Sequence, residues 1–365
     1  TQRCHPPLPN IFGQRPIRAD EPGIRDALQT VHELVHRTFL ENDIDGMTVA
    51  IVTPDDVIYE AGLGVLKANE TDPGKRGVVD RHSIFRIASG SKLFAVLEIL
   101  ILRERGALQW DDPITKFFPE FTYRAGGWAK MDSRAAFAEP SPPITIRQLA
   151  SHMSGLTREY PRGDMPNWPH SMDGAGPPPI NGCPFPTVQE TIEGLVKYPL
   201  TVPTYSYPLY SNAGMAVLGQ VAVAANRKQD EDSGATHTPD SWPTLAKRDI
   251  FDRLGLNGSG FVVTPANKMH VAVASKASGE VDLDFLDAMS ASGGQMSSLS
   301  DYIKLMQTIL DPNRPESLLP PHVVREWLRP LHAWSDETTE VGMLWEINKI
   351  ADTYGRQLRI YQKRQ

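Results

Sequence analysis

The stretch Phe85-Arg86-Ile87-Ala88-Ser89-Gly90-Ser91-Lys92-Leu93-Phe94-Ala95-Val96-Leu97-Glu98-Ile99-Leu100 decides the fold. It puts a serine at the mouth of an apolar helical run, with a lysine three residues on. Three residues advance an α-helix by about 300°, so Ser89 and Lys92 share one face a turn apart, within reach of an amine-to-hydroxyl hydrogen bond. A serine hydroxyl is a poor nucleophile at neutral pH until a base takes its proton, and a lysine can be that base. The same pair also suits a helix cap beside a solvated charge. Spacing alone leaves both readings open.

The bulk of the chain limits what such a site could serve. Its 365 residues suffice for one large domain or two interlocked ones, and 40% hydrophobic with 22% charged residues is ordinary globular composition. A net charge of -7 without a long basic run argues against nucleic acid and anionic membranes as partners. The longest apolar run, Leu93 to Leu102, contains Glu98 and falls short of the ~20 residues that span a bilayer. The expected partner is a small-molecule or peptide substrate. The two cysteines, Cys4 and Cys183, would pair in an oxidising compartment, closing a loop of about 180 residues worth at most ~5 kcal/mol. With the sequons at Asn69 and Asn257, they point to a secreted, disulfide-bonded glycoprotein.

Four regions emerge from composition and periodicity. Residues 1–22 form a Pro-rich arm without periodicity. Residues 23–88 hold a helix, with Ile24, Leu28, Val31, Leu34, Val35 and Phe39 on one core-facing stripe, and then a β hairpin from Met47 to Leu63 around Pro54-Asp55-Asp56. Residues 89–255 are mainly helical with long loops, including a polar insertion from Asn226 to Trp242. Residues 256–365 return to an α/β region with strands at Gly342 to Ile347 and Gln357 to Gln362. The class is α+β, an antiparallel sheet flanked by helices with a mainly helical region inserted between its parts.

A second motif, Tyr210-Ser211-Asn212, precedes the small-residue helix Ala213 to Ala224. Ser-x-x-Lys followed at a distance by Tyr-x-Asn resembles the penicillin-recognising serine hydrolases, in the branch of class C β-lactamases, D,D-peptidases and related esterases. Three flanking segments look like the same branch: Leu102 to Pro113, Ile144 to Leu156 and Ser292 to Asp301. The resemblance implies a β-lactamase/transpeptidase-like fold with a cofactor-free acyl-enzyme chemistry. It makes Ser89 the nucleophile, its own N–H one oxyanion donor, Lys92 and Tyr210 the proton-transfer groups, and Asn212 a donor to substrate that also holds Lys92. Lys92 would have to be neutral to act as base, against a free value near 10.4.

The resemblance also implies a Lys- or His-x-Gly strand where the sequence ends. Lys363 is the candidate for its lysine, but Gln365 then stands where glycine belongs. The expectation is that C-terminal strands are missing from these 365 residues, and that a C-terminal fragment of the same precursor, cut at Lys363-Arg364, completes the fold. Trp168 and Trp128 in the long loops are candidates to line the substrate cleft. Two further motifs compete. His32-Glu33-Leu34-Val35-His36 matches H-E-x-x-H and places His32 and His36 on one helix face, as a zinc peptidase with Glu33 as base requires. The next element along the chain, however, is a hairpin rather than a helix bearing a third ligand. Arg162-Gly163-Asp164 reads as a turn. The function expected is a serine hydrolase acting on an ester or amide, with β-lactamase, a non-catalytic binding relative and the zinc peptidase as alternatives.

Overall fold

The computed structural model describes residues 16–122, 143–167, 169–277, 279, 281, 284–352 and 355–363. Its centre is helix α2, Ser91–Glu104, which follows helix α1 (Pro22–Glu41), the strands β1 (Gly46–Val52) and β2 (Val57–Gly64), and β3 (Ile84–Arg86). Every residue of α2 from Ser91 to Leu102 is buried. A helix apolar on all sides must be surrounded, and the chain supplies the wrapping chiefly with α5 (Asn212–Ser233), on which α3 (Ile146–Ala150) and α4 (Val188–Leu195) pack in turn. Helix α5 carries alanine and glycine where it crosses its neighbours. A Cβ on Gly219 would lie 2.3 Å from that of Ala291, so only glycine permits this approach.

Glu98 is a charged-type residue inside this core, fully buried beside Asp249. Burial, then the Asp249 charge, pushes its carboxyl well above the usual range, so it sits in the core neutral. Arg105 and Arg248 hold Asp249 at 2.6 and 2.8 Å, and Arg248 also reaches Asn226 at 2.6 Å and Asp230 at 3.0 Å. That network explains a departure from the sequence expectation. Helix α5 does not stop at Ala224; it runs to Ser233 because Asn226 and Asp230 are tied to Arg248, and it ends at Gly234 with φ +71°.

Beyond α5 come β4 (Met296–Ser298), α6 (Leu299–Leu310), α7 (Pro321–Trp327) and the strands β5 (His332–Ala333), β6 (Thr339–Val341), β7 (Glu346–Ala351) and β8 (Gln357–Gln362). Among the described residues the strands pair antiparallel in three groups, β1-β2, β3-β4 and β5-β6-β7-β8. β3 and β4 share only three residue pairs. The strand expected from Gly342 is displaced to Glu346. Leu344 adopts φ +68° and Met343, Leu344 and Trp345 turn into the core as a buried plug.

The hairpin falls where expected, with Ile51 opposite Tyr59. Helix α1 also forms, but its stripe is not fully core-facing: Ile24, Leu28, Val31, Val35 and Phe39 are only half-buried, and Leu34 is 51% exposed. Two strands ~5 Å apart offer too narrow a layer to cover the stripe of a helix about 30 Å long.

The four-stranded sheet is fixed to α7 by aromatic packing. Trp327 is fully buried, 5.5 Å from the Trp345 ring, and donates from Nε1 to Met343 O at 3.2 Å. Tyr361 on β8 donates to Leu328 O at 2.9 Å. Trp327→Ala should therefore cost about 3–5 kcal/mol, read from the midpoint of denaturant unfolding. A loss under about 1 kcal/mol would mean that the sheet is held by other contacts.

Candidate active site

Pairing of β3 with β4 brings the chain into its nucleophile turn beside the segment leading out of Ser292. Ile87 N donates to Gln295 O at 3.1 Å. Ser91 Oγ donates to Ala88 O at 2.6 Å and accepts from Gln295 N at 3.0 Å, bolting the turn to that segment. Ala88 takes φ +40°, and residues 88–90 form one 3₁₀ turn ahead of α2. A non-glycine residue in that region stores backbone strain, and it directly precedes Ser89. Position 90 has no room for a side chain, since a Cβ there would lie 2.6 Å from Tyr302 Oη and 3.3 Å from Ile87 Cβ.

Lys92, one turn on, is 0% exposed. Its Nζ donates to Ser89 Oγ at 2.9 Å and to Ser292 O at 2.5 Å. Burial, helped by the Lys363 and Arg158 charges and opposed by Glu159, pushes its pKa well below the usual value for lysine. Tyr210 Oη shares a hydrogen bond with Ser89 Oγ from the other side. Burial raises the Tyr210 phenol, while the Ser89 bond and the Arg158 charge draw it back. Burial thus favours the neutral form of both groups that flank the hydroxyl, the amine and the phenol.

The segment from His152 to Glu159 positions Tyr210. Leu209 N donates to His152 O at 2.8 Å, Ser211 N to His152 Nδ1 at 3.2 Å, and Asn212 N to Arg158 O at 2.8 Å. Ser211 Oγ donates to Thr157 O at 2.6 Å and accepts from Gly214 N at 2.8 Å, capping α5. The His152 ring lies 4.7 Å from that of Tyr210. Burial, then the cations around it, pushes the imidazole down to about 3, so His152 is a neutral acceptor. It serves the Tyr210 loop, with Nδ1 on the Ser211 N–H rather than on Ser89.

Asn212 departs from its expected part. Its Nδ2 donates to Glu159 Oε1 at 2.7 Å, and no hydrogen bond to Lys92 is formed among the described residues. Glu159 also forms an ion pair with Arg158, Nε to Oε1 at 3.2 Å, and burial raises its carboxyl. Sequence reasoning missed both Arg158 and Glu159. The available signal was an adjacent pair of opposite charges one residue beyond Ser154-Gly155-Leu156.

Two cavities open here, of about 400 and about 450 Å³. Ser89, Arg158, Asn212 and Ser292 line the first; His152, Trp334 and Lys363 line the second; Tyr210 and Glu346 line both. Lys363, just past β8, lies with Nζ 6.0 Å from the Tyr210 ring centre, so the chain's end does reach the site. Trp168, Trp128, Cys4 and Gln365 lie outside the described residues. Cys183 Sγ faces Arg162 O at 3.7 Å, Asn257 is exposed and Asn69 half-buried. The His32 and His36 ring centres lie 4.2 Å apart on the exposed α1, tilted by 48°, and Tyr59 Oη meets His32 Nδ1 at 3.3 Å. No group of three or more His, Cys, Asp or Glu suited to a metal ion occurs among the described residues.

With this geometry in place, comparison with known proteins is informative. The beta-lactamase family profile matches residues 26–355, so the chain belongs to the beta-lactamase family, a branch of a serine hydrolase superfamily. It is 59% identical over 235 residues to the beta-lactamase-like protein str5 of Strobilurus tenacellus, covering 64% of this chain and 83% of that relative. Among solved structures, the octameric penicillin-binding protein homologue from Pyrococcus abyssi superimposes with a TM-score of 0.65 at 21% identity, over 91% of this chain and 67% of that one. A class C beta lactamase from Rhodobacter sphaeroides gives 0.59 at 19%, over 86% and 73%. At these identities the two structures speak for the fold, which is of the β-lactamase/transpeptidase type.

The buried lysine has a thermodynamic signature. Between its depressed native pKa and the unfolded value near 10.4, the unfolded chain binds more protons than the native one. Stability at Lys92 therefore rises with pH across that window. Lys92→Met removes this penalty, so its Tm should exceed that of the wild type at about pH 7, and the gap should narrow toward about pH 10. A variant that melts lower than the wild type at every pH would contradict burial as the source of the shift.

Proposed function

We propose that this chain is a serine hydrolase that cleaves esters or amides through an acyl-enzyme on Ser89. One observation carries the reading: Ser89 Oγ is held at once by the buried amine of Lys92 at 2.9 Å and by the Tyr210 phenol. As Oγ attacks the carbonyl carbon, Lys92 Nζ takes its proton and the carbonyl π-electrons move to oxygen. The oxyanion lies against the Ser89 N–H in the nucleophile turn. Collapse expels the alcohol or amine, which receives a proton through Tyr210 as Lys92 reprotonates the phenolate. Water then attacks the acyl carbon by the reverse route and frees Ser89.

Base duty belongs to Lys92. Burial drives the two groups in opposite useful directions, the lysine down into its neutral form and the tyrosine up into its phenol form. A phenol so raised keeps its proton at neutral pH, and it can pass that proton to the leaving group only as Lys92 resupplies one. Esters, amides and β-lactams all present the carbonyl this constellation needs. The cavity walls, rather than the nucleophile, choose among them.

A fluorophosphonate probe, followed by intact-mass and peptide analysis, tests the reading directly. The expected outcome is a single adduct on Ser89, absent in Ser89→Ala. Tyr210→Phe should lower kcat by about 10²–10⁴-fold while leaving the adduct site unchanged. kcat/KM should be low in acid and rise with pH through the depressed Lys92 pKa, because only the unprotonated amine accepts the serine proton. Absence of any adduct on correctly folded protein would favour a non-catalytic binding relative.

A further inference from the structure

We propose that Arg158 is the specificity-determining residue of this site and that it selects substrates whose acyl half carries a free carboxylate. The inference rests on the acyl-enzyme reading.

Arg158 lines the same cavity as Ser89, its side chain is 65% exposed, and its guanidinium carbon lies 4.8 Å from the centre of the Tyr210 ring. Its own carboxylate contact is incomplete. Nε lies 3.2 Å from Glu159 Oε1, and that oxygen is already shared with Asn212 Nδ2 at 2.7 Å. No hydrogen bond engages Nη1 or Nη2 among the described residues. Glu159 and the Tyr210 ring therefore fix the plane of the guanidinium while its terminal edge, two parallel N–H vectors, stays available. That edge matches the two oxygens of a carboxylate, and arginine is the residue suited to this bidentate geometry.

The surroundings restrict what kind of molecule brings the anion. Ile180, Phe285 and Met289 form an apolar wall of the cavity, fitted to a hydrocarbon body. Asn212 has one Nδ2 hydrogen committed to Glu159, so the strongest donor left to greet the acyl half is Arg158. The substrate class is a short ester or amide with an apolar acyl chain ending in a carboxylate.

The test compares the 4-nitrophenyl monoester of glutaric acid with its methyl-capped, uncharged counterpart. The wild type should favour the anion in kcat/KM by at least about tenfold, mostly through KM. In Arg158→Gln the ratio should fall to about one, and in Arg158→Glu it should invert. A ratio near one in the wild type, or a ratio preserved in Arg158→Gln, overturns the proposal. A second measurement does not depend on turnover. Calorimetric titration of Ser89→Ala with 4-phenylbutyrate and with 4-phenylbutyramide should show the acid binding about tenfold more tightly, a difference abolished when Arg158→Gln is added. Carboxylate selectivity in the titration without hydrolysis of either ester would sink the acyl-enzyme reading and leave Arg158 in place. Hydrolysis without charge preference would do the reverse.

Discussion

The structure depends on one lysine side chain being shut inside the protein. Lys92 projects from the most deeply buried helix, and its amine is satisfied by Ser89 Oγ and Ser292 O. A charged ammonium so placed is costly, whereas a neutral amine with two acceptors is tolerable. Everything that makes the interior of α2 dry, from the apolar wrapping by α5 to the bolting of the nucleophile turn by Ser91, also sets the protonation state of that amine. Packing and chemistry are here the same constraint.

The surrounding elements are devices for bringing distant segments onto this one amine and its hydroxyl neighbour. The short β3-β4 ribbon delivers the Ser292 carbonyl. The turn through His152, with φ +59°, delivers an imidazole that supports Ser211, and the Thr157 carbonyl caps the serine that starts α5. The β7-β8 sheet, anchored on Trp327 and Tyr361, delivers Glu346 and Lys363 to the far side of Tyr210. Three regions far apart in sequence thus meet at a single tyrosine.

How much of this was legible depended on the range of the interaction. The Ser89-Lys92 pair is a local property of helical spacing and could be read from the residues. Tyr210 and Asn212 came from a motif resemblance, because nothing local ties residue 210 to residue 89. The hairpin and α1 were legible from periodicity, but the burial of α1 was not, since a stripe marks which face is apolar and not what lies opposite it. The end of α5 at Ser233 and the clamp of Glu159 on Asn212 were invisible for a common reason. Each is set by a contact between residues far apart in the chain, Arg248 with Asn226 and Asp230 in one case and Glu159 with Asn212 in the other, and charge patterning along the chain does not encode such partners.

Tyr210 stands in the shared wall of two cavities rather than at the bottom of one. On the acyl-enzyme reading, this makes the phenol a partition as well as a proton carrier. The acyl group occupies the chamber of Ser89 and Arg158, while the departing alcohol or amine is handed across to the chamber of His152, Trp334 and Lys363. The emptied second chamber is then a waiting room for the hydrolytic water. The two halves of a substrate are sorted before either leaves, and the traffic of products is separated from the bond that holds the intermediate.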